Sequence, residues 1–156
     1  MILWRLSGRD HARRFDGGYG LAHHGRWNTR GRPLTSCATS AAPCLLEKLI
    51  HVEDPGLIPD NLFMVRYDAP DDLGRELLEP RDLPANWRRS EAVTQALGDA
   101  WADAGAAPLL SLPSIILPIA DSGERNVLIN HRHPGAGRIT ILDATPFELD
   151  PRLLRS

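Results

Sequence analysis

Between Ser7 and Pro33 the chain has no hydrophobic period of either the helical or the strand kind, and the segment is rich in glycine, arginine and histidine. A short apolar run, Ile2 to Leu6, precedes it and reads as a strand, and helical patterns appear only after it. That order excludes a regular alternation of strand and crossover helix. An irregular segment of this length inside a compact domain is usually functional.

The first helical pattern carries an apolar stripe of Ala42, Leu45, Leu46, Leu49 and Ile50. Thr39 or Ser40 can cap it, and Pro43 suits its first turn. Leu62 to Tyr67 reads as a strand. The stretch from Ala69 to Trp87, with Pro70, Pro80 and Pro84 among many charges, reads as surface connection. Ser90 can cap a second helix helped by Glu91, with Val93, Leu97 and Trp101 on its packed face, Ala96 and Ala100 beside them, and Gly105 as its stop. Apolar runs follow at Leu109 to Leu117, Val127 to Ile129 and Ile139 to Leu142, with Pro113 and Pro118 placing the first at an edge or a bend. Strands at both ends with two helices between or beside them predict one α+β domain over residues 1–156.

Inside the irregular segment, Gly25-Arg26-Trp27-Asn28 follows Gly17-Gly18-Tyr19-Gly20 and precedes Arg30-Gly31-Arg32-Pro33. Glycine lets backbone N–H groups turn toward a ligand. Arginine offers a planar fork for phosphate or carboxylate, an aromatic can wall a planar ring, and asparagine both donates and accepts. These are parts of a pocket for an anionic, ring-bearing ligand, with a nucleotide the natural candidate. Arg26 is either that anion clamp or one solvated loop arginine among many. Glu47 falls off the leucine face of its helix, one turn from His51. It is either an exposed carboxylate paired with that histidine or a charge that stabilises a cationic sugar ring or accepts a ribose hydroxyl. Ser114 lies in an apolar run where its hydroxyl needs a partner, either nearby backbone or a ligand.

Other chemistries are poorly supported. No Gly-x-Ser-x-Gly elbow surrounds Ser114, and the chain has neither the dinucleotide fingerprint nor the phosphate-loop motif. His23-His24 and His131-x-His133 lack a third ligand at a familiar spacing, so no metal is expected. His133, before Pro134, reads as structural or as a pocket wall. Cys37 and Cys44 are not a CxxC pair and read as buried or half-buried free thiols. A net charge of -2 argues against nonspecific nucleic-acid binding. Lys48 is the single lysine among 18 Lys and Arg residues, so the weight of any one arginine is small. Met1 to Arg5 has no leading positive region and no stretch approaches a membrane span, so a cytoplasmic chain is expected.

Arg26, Glu47 and Ser114, in that order, carry a resemblance to the RES-domain toxins of bacterial RES–Xre toxin–antitoxin pairs, a family named for an arginine, a glutamate and a serine. The similarity runs from Trp4-Arg5 through Gly25 to Asn28, Leu45-Leu46-Glu47, Gly98 to Trp101, Leu112-Pro113-Ser114, Asn126 to Asn130 and His133-Pro134 to Phe147, Asp150 and Arg152-Leu153. The resemblance implies an α+β fold similar to ADP-ribosyltransferase catalytic domains, and NAD as the substrate whose nicotinamide–ribose bond breaks. Carried over by position, Arg26 would hold phosphates or the nicotinamide-side ribose. Glu47 would stabilise an oxocarbenium-like transition state, and Ser114 would support the ribose or carboxamide. Members of the family often have a tyrosine, in an extended stretch before the glutamate helix, where this chain has Ser36, which leaves Tyr19 or Trp27 to meet the nicotinamide ring. Trp27, Asn28, Tyr19 and Ser36 therefore join Arg26 as expected NAD contacts. ADP-ribose could pass to a host protein, or to water or phosphate with depletion of NAD; a binding module without turnover is the third reading. The resemblance also implies a cognate Xre-like, DNA-binding antitoxin that covers the site, in a complex whose DNA binding belongs to that partner.

Overall fold

The computed structural model describes residues 1–50, 61–117, 119 and 123–154. Its strands are β1 (Ile2–Gly8), β2 (Leu34–Ala38), β3 (Leu62–Asp68), β4 (Arg75–Leu77), β5 (Leu109–Pro113), β6 (Arg125–Asn130) and β7 (Thr140–Pro146). Its helices are α1 (Arg9–Ala12), α2 (Gly18–Ala22), α3 (Ala41–Ile50) and α4 (Glu91–Ala104). The strands form one sheet in the order β4-β5-β6-β2-β1-β3-β7, antiparallel throughout except for the β4–β5 pair. This is the α+β architecture expected.

Side chains alternate across a strand, so each strand feeds two cores. One face carries Leu3, Cys37, Val65, Tyr67, Leu109, Val127 and Ile129, with Phe15 and Ile141 packed on them. The other carries two separate clusters. Leu34, Leu110, Leu112 and Leu128 lie with Trp27, Trp87 and Trp101 in one, and Ala38 and Met64 lie with Cys44 of α3 in the other. Each fully buried Leu, Ile or Val in these cores contributes about 1.5–3 kcal/mol.

Several expectations need correction. Ser7 to Pro33 is not wholly irregular: β1 runs to Gly8, and α1 and α2 follow. These helices are too short for a periodic pattern to show. The Ala69–Trp87 stretch holds β4 and buries Ala69, Leu73, Leu83 and Trp87, so it is anchored in both cores. β5 is an inner strand between β4 and β6, and Pro113 is tolerated because it is its last residue.

The helices also present different faces from those expected. α3 buries Pro43 and Cys44, while Leu45, Leu46 and Leu49 are half-buried and Ile50 is 58% exposed. Cys44, Glu47 and Lys48 lie three and four residues apart, so they share the side that faces the sheet. α4 buries Thr94, Gly98, Trp101 and Ala102, and leaves Ala96 and Ala100 exposed. Ser90 occupies the N-cap position of α4 without a side-chain bond, and Gly105 ends the helix in the left-handed region at φ 61. Near the start of α3, Ser40 donates instead to Glu124, and Thr39 donates to the Gly123 carbonyl. His51 and Pro118 lie outside the described residues.

Both thiols are free and buried, as expected. Burial raises the Cys37 thiol and pushes Cys44 up to about 12. Both should therefore resist iodoacetamide at pH 8 until denaturant opens the core. Native-state labelling as fast as that of the unfolded chain would contradict this packing.

Candidate active site

The site begins with a defect in sheet pairing. β1 pairs with β3 along its whole length, and β2 pairs with β6 over five residue pairs. β1 and β2 pair only at Trp4 and Ala38. Beyond that point they separate, and a cavity of about 380 Å³ opens between them. A cavity of this size falls in the range of small-molecule sites. β1 lines it with Arg5 to Gly8, β2 with Thr35, α2 with Tyr19, and α3 with Lys48. Arg14, His11 and His23 add to the wall, and among the described residues Asp16 is the only acid in the lining. Three permanent cations against one carboxylate make this an anion-receptive hollow.

The tyrosine supplies a ring surface. Tyr19 is 59% exposed and lies 4.7 Å from the His23 ring, so much of its own face is open. Gly20 lets α2 sit directly on the backbone of Arg32 to Leu34, since a Cβ there would meet those main-chain atoms. Gly17 and Gly20 thus serve close packing of α2 onto the start of β2.

Beneath the cavity a polar group reinforces its floor. His131 Nε2 and Thr35 Oγ1 lie 2.8 Å apart, and the His131 ring meets Phe15 edge-on at 4.5 Å. Burial lowers the His131 pKa, so it is neutral at physiological pH; nearby Asp16 opposes that shift and Arg5 adds to it. Tyr67, fully buried on the same face, is pushed up to about 12 mainly by burial. Arg5 lies close enough to this hydroxyl to favour its anion, although the hydroxyl makes no geometrically sound hydrogen bond among the described residues.

Glu47 precedes cavity-lining Lys48 on the sheet-facing side of α3, and its Oε1 accepts a 3.1 Å hydrogen bond from Asn126 Nδ2 on β6. Ser36 lies on the same sheet face as Leu34 and Ala38. It is exposed although β2 is the middle strand of seven. The strip of sheet between the α3 cluster and the tryptophan cluster is therefore open at Ser36, next to cavity-lining Thr35. Tyr19 lines the split between β1 and β2, while Ser36 and Glu47 lie on the strand and helix that border it.

The other expected residues are engaged elsewhere. Arg26 Nη2 donates to the carbonyls of Trp87 (2.6 Å) and Arg88 (3.0 Å). Trp27 is 3% exposed and packs on Trp87, with ring centroids 5.9 Å apart. Asn28 closes a tight turn by pairing with Gly25 and donates to the Thr29 carbonyl. Ser114 is 2% exposed, and its hydroxyl accepts from the N–H groups of Ile116 and Leu117, forming the turn after β5. His133 accepts from the Gly135 N–H and is structural. Arg26→Ala should thus leave two carbonyls without their donor and lower stability by about 1–3 kcal/mol. Denaturant melts read this directly, and an unchanged midpoint would free the guanidinium for a ligand role.

Sequence reasoning passed over Arg5 and Lys48. The signal available was a charge in the middle of an apolar strand and the only lysine in an arginine-rich chain. A second hollow of about 310 Å³, beside Met1, Pro70, Asp71, Leu73 and Arg75, is less promising because Asp71 is already paired with the N-terminal ammonium. Among the described residues, no three His, Cys, Asp or Glu side chains gather as a metal site, and no helix is long and apolar enough to cross a membrane.

Comparisons with known proteins converge. The family model for the RES domain matches residues 2–150. "Toxin Res" of Pseudomonas putida is 36% identical over 149 residues, covering 94% of this chain and 97% of the relative. "Prs ADP-ribosylating toxin" of Sphingobium sp. is 35% identical over 135 residues, covering 84% and 81%. "Toxin Res" of Yersinia enterocolitica is 31% identical over 158 residues, covering 98% and 99%. A chain in the crystal structure of the M. tuberculosis MbcT-MbcA toxin-antitoxin complex superposes with a TM-score of 0.72 at 18% identity, over 98% of this chain and 86% of that one. That last likeness is one of fold alone.

Proposed function

This chain belongs to the RES domain family, and from that premise we propose that it is the toxin of a toxin–antitoxin pair and cleaves the nicotinamide–ribose bond of NAD. The observation that carries the reading is Glu47 beside a basic cavity walled by an exposed tyrosine. NAD brings a pyrophosphate, two ribose units and two rings. Arg5, Arg14 and Lys48 suit the pyrophosphate, Tyr19 suits a ring, and Ser36 is exposed on β2 beside cavity-lining Thr35. The nicotinamide is already cationic and leaves as a neutral molecule, taking the bond's electron pair, so its departure needs no general acid. Positive charge then builds on the ribose, and the Glu47 carboxylate stabilises it. Arg26 and Ser114 act in this reading by holding the 87–88 backbone and the turn after β5.

The first reading of the acceptor is a side chain of a host protein, in line with the name of the Sphingobium relative. Water or phosphate would give NAD depletion instead. The fold neighbour belongs to a toxin–antitoxin complex; a cognate antitoxin that covers the cavity, Xre-like and DNA-binding, is what the resemblance implies for this chain. The test is nicotinamide release from NAD by the purified chain, separated from its antitoxin where co-expression is needed. Mass spectrometry of cell proteins then looks for added ADP-ribose. Release with modified protein supports transfer, and release with free ADP-ribose or its phosphate supports depletion. A folded chain that binds NAD without release would leave only a binding module.

A further inference from the structure

We infer that Asn126 is the positioning residue that holds the Glu47 carboxylate in its working orientation, an inference that rests on the proposed role of Glu47. Asn126 Nδ2 lies 3.1 Å from Glu47 Oε1. The amide must be the donor, because an ionised carboxylate only accepts. Its own backbone is fixed from both sides, since β6 pairs there with Ala38 of β2 and Leu112 of β5. A glutamate on a helix has three rotatable bonds and gains little from one exposed partner. A donor mounted on an inner strand is rigid, and one bond to one oxygen leaves the remaining lone pairs for a sugar.

The residue type supports a specific need. Asparagine is poorly suited to strands. After Asn126, β6 runs through Val127-Leu128-Ile129, all buried. On Asn126's side of the sheet its strand neighbours are Ala38 and Leu112, neither of which has a side-chain polar atom. The other asparagine of β6, Asn130, is fully buried and donates to the Ala102 carbonyl, a structural bond to α4. Asn126 gives its donor to Glu47, the carboxylate on the sheet-facing side of α3.

Aspartate at this position gives a sharp test. Two carboxylates so close cannot both ionise freely, so one of them takes up a proton at a raised pKa. Above that pKa they repel and Glu47 is displaced. Below it the shared proton restores a donor, so activity should return as pH falls.

The experiment measures nicotinamide release by the wild-type chain and by Asn126→Ala, Asn126→Asp, Glu47→Gln and the double variant Glu47→Gln/Asn126→Ala. Asn126→Ala should lower kcat roughly 10- to 100-fold, the scale of a misplaced catalytic group, while KM for NAD stays within about twofold. The double variant should be no slower than Glu47→Gln alone. Asn126→Asp should be slow at pH 8 and recover toward pH 5.5, and it carries the test if the alanine variant fails to fold. Wild-type kcat in Asn126→Ala, multiplicative losses in the double variant, or a flat pH profile in Asn126→Asp would each overturn the inference. Full activity in Glu47→Gln would instead remove the reading of the site on which it stands.

Discussion

Glu47→Gln is expected to reduce kcat for nicotinamide release by roughly 10²- to 10³-fold, the loss seen when one preorganised electrostatic contact to a transition state is removed. KM should change little, because the ground-state ribose carries no charge for Glu47 to meet. The substitution is isosteric, and a glutamine carbonyl can still accept from Asn126, so melting should match the wild type. What disappears is the negative charge. Fully retained nicotinamide release, with a folded protein, would sink the mechanism. A large rise in KM with unchanged kcat would make Glu47 a hydroxyl-binding group instead.

The setting of Glu47 was partly visible in the sequence, for a reason that proved incomplete. The helical wheel set Glu47 off a face of four leucine and isoleucine residues, which reads as exposure. In the structure the small residues Pro43 and Cys44 are buried, and Glu47 and Lys48 lie on the sheet-facing side. Hydrophobicity alone misjudged the face, because a helix over a strand split packs its small residues and keeps two charges above the gap. The regular parts were better read. β3 and α4 carry enough apolar residues at the right period to show themselves locally. β4 has three exposed residues and no such signal. The cavity was invisible for a different reason: it depends on β1 leaving β2 after a single pairing, a relation between segments far apart in sequence.

Gly25-Arg26-Trp27-Asn28 shows how one set of residues can serve two ends. A buried tryptophan, an arginine on two carbonyls and an asparagine closing a turn build a rigid corner as well as they could build a ligand pocket. Trp27 packs into the tryptophan cluster under α4.

The corner's hold on α4 leads to the second large effect, on stability. Gly98→Ala should destabilise the chain by about 3 kcal/mol or more, against the ~1 kcal/mol that the same change gains in an open helix. Gly98 is buried in mid-helix, and a Cβ there would fall inside the van der Waals shell of the Trp27 carbonyl oxygen. That oxygen belongs to backbone and cannot swing aside. Beside it, the Thr94 hydroxyl donates to the Arg26 carbonyl (2.7 Å), and Asp99 accepts from the Thr29 N–H and hydroxyl (3.0 and 2.6 Å). Moving α4 away would therefore strain three bonds and loosen Trp27 and Trp101 in their shared core. In a domain of this size the melting temperature should fall by roughly 6–12 °C. Ala100→Gly, at an exposed position of the same helix, should cost only about 1 kcal/mol through helix propensity. If Gly98→Ala instead raised the melting temperature, α4 would not lie against the Trp27 backbone, and the packing of this corner would have to be redrawn.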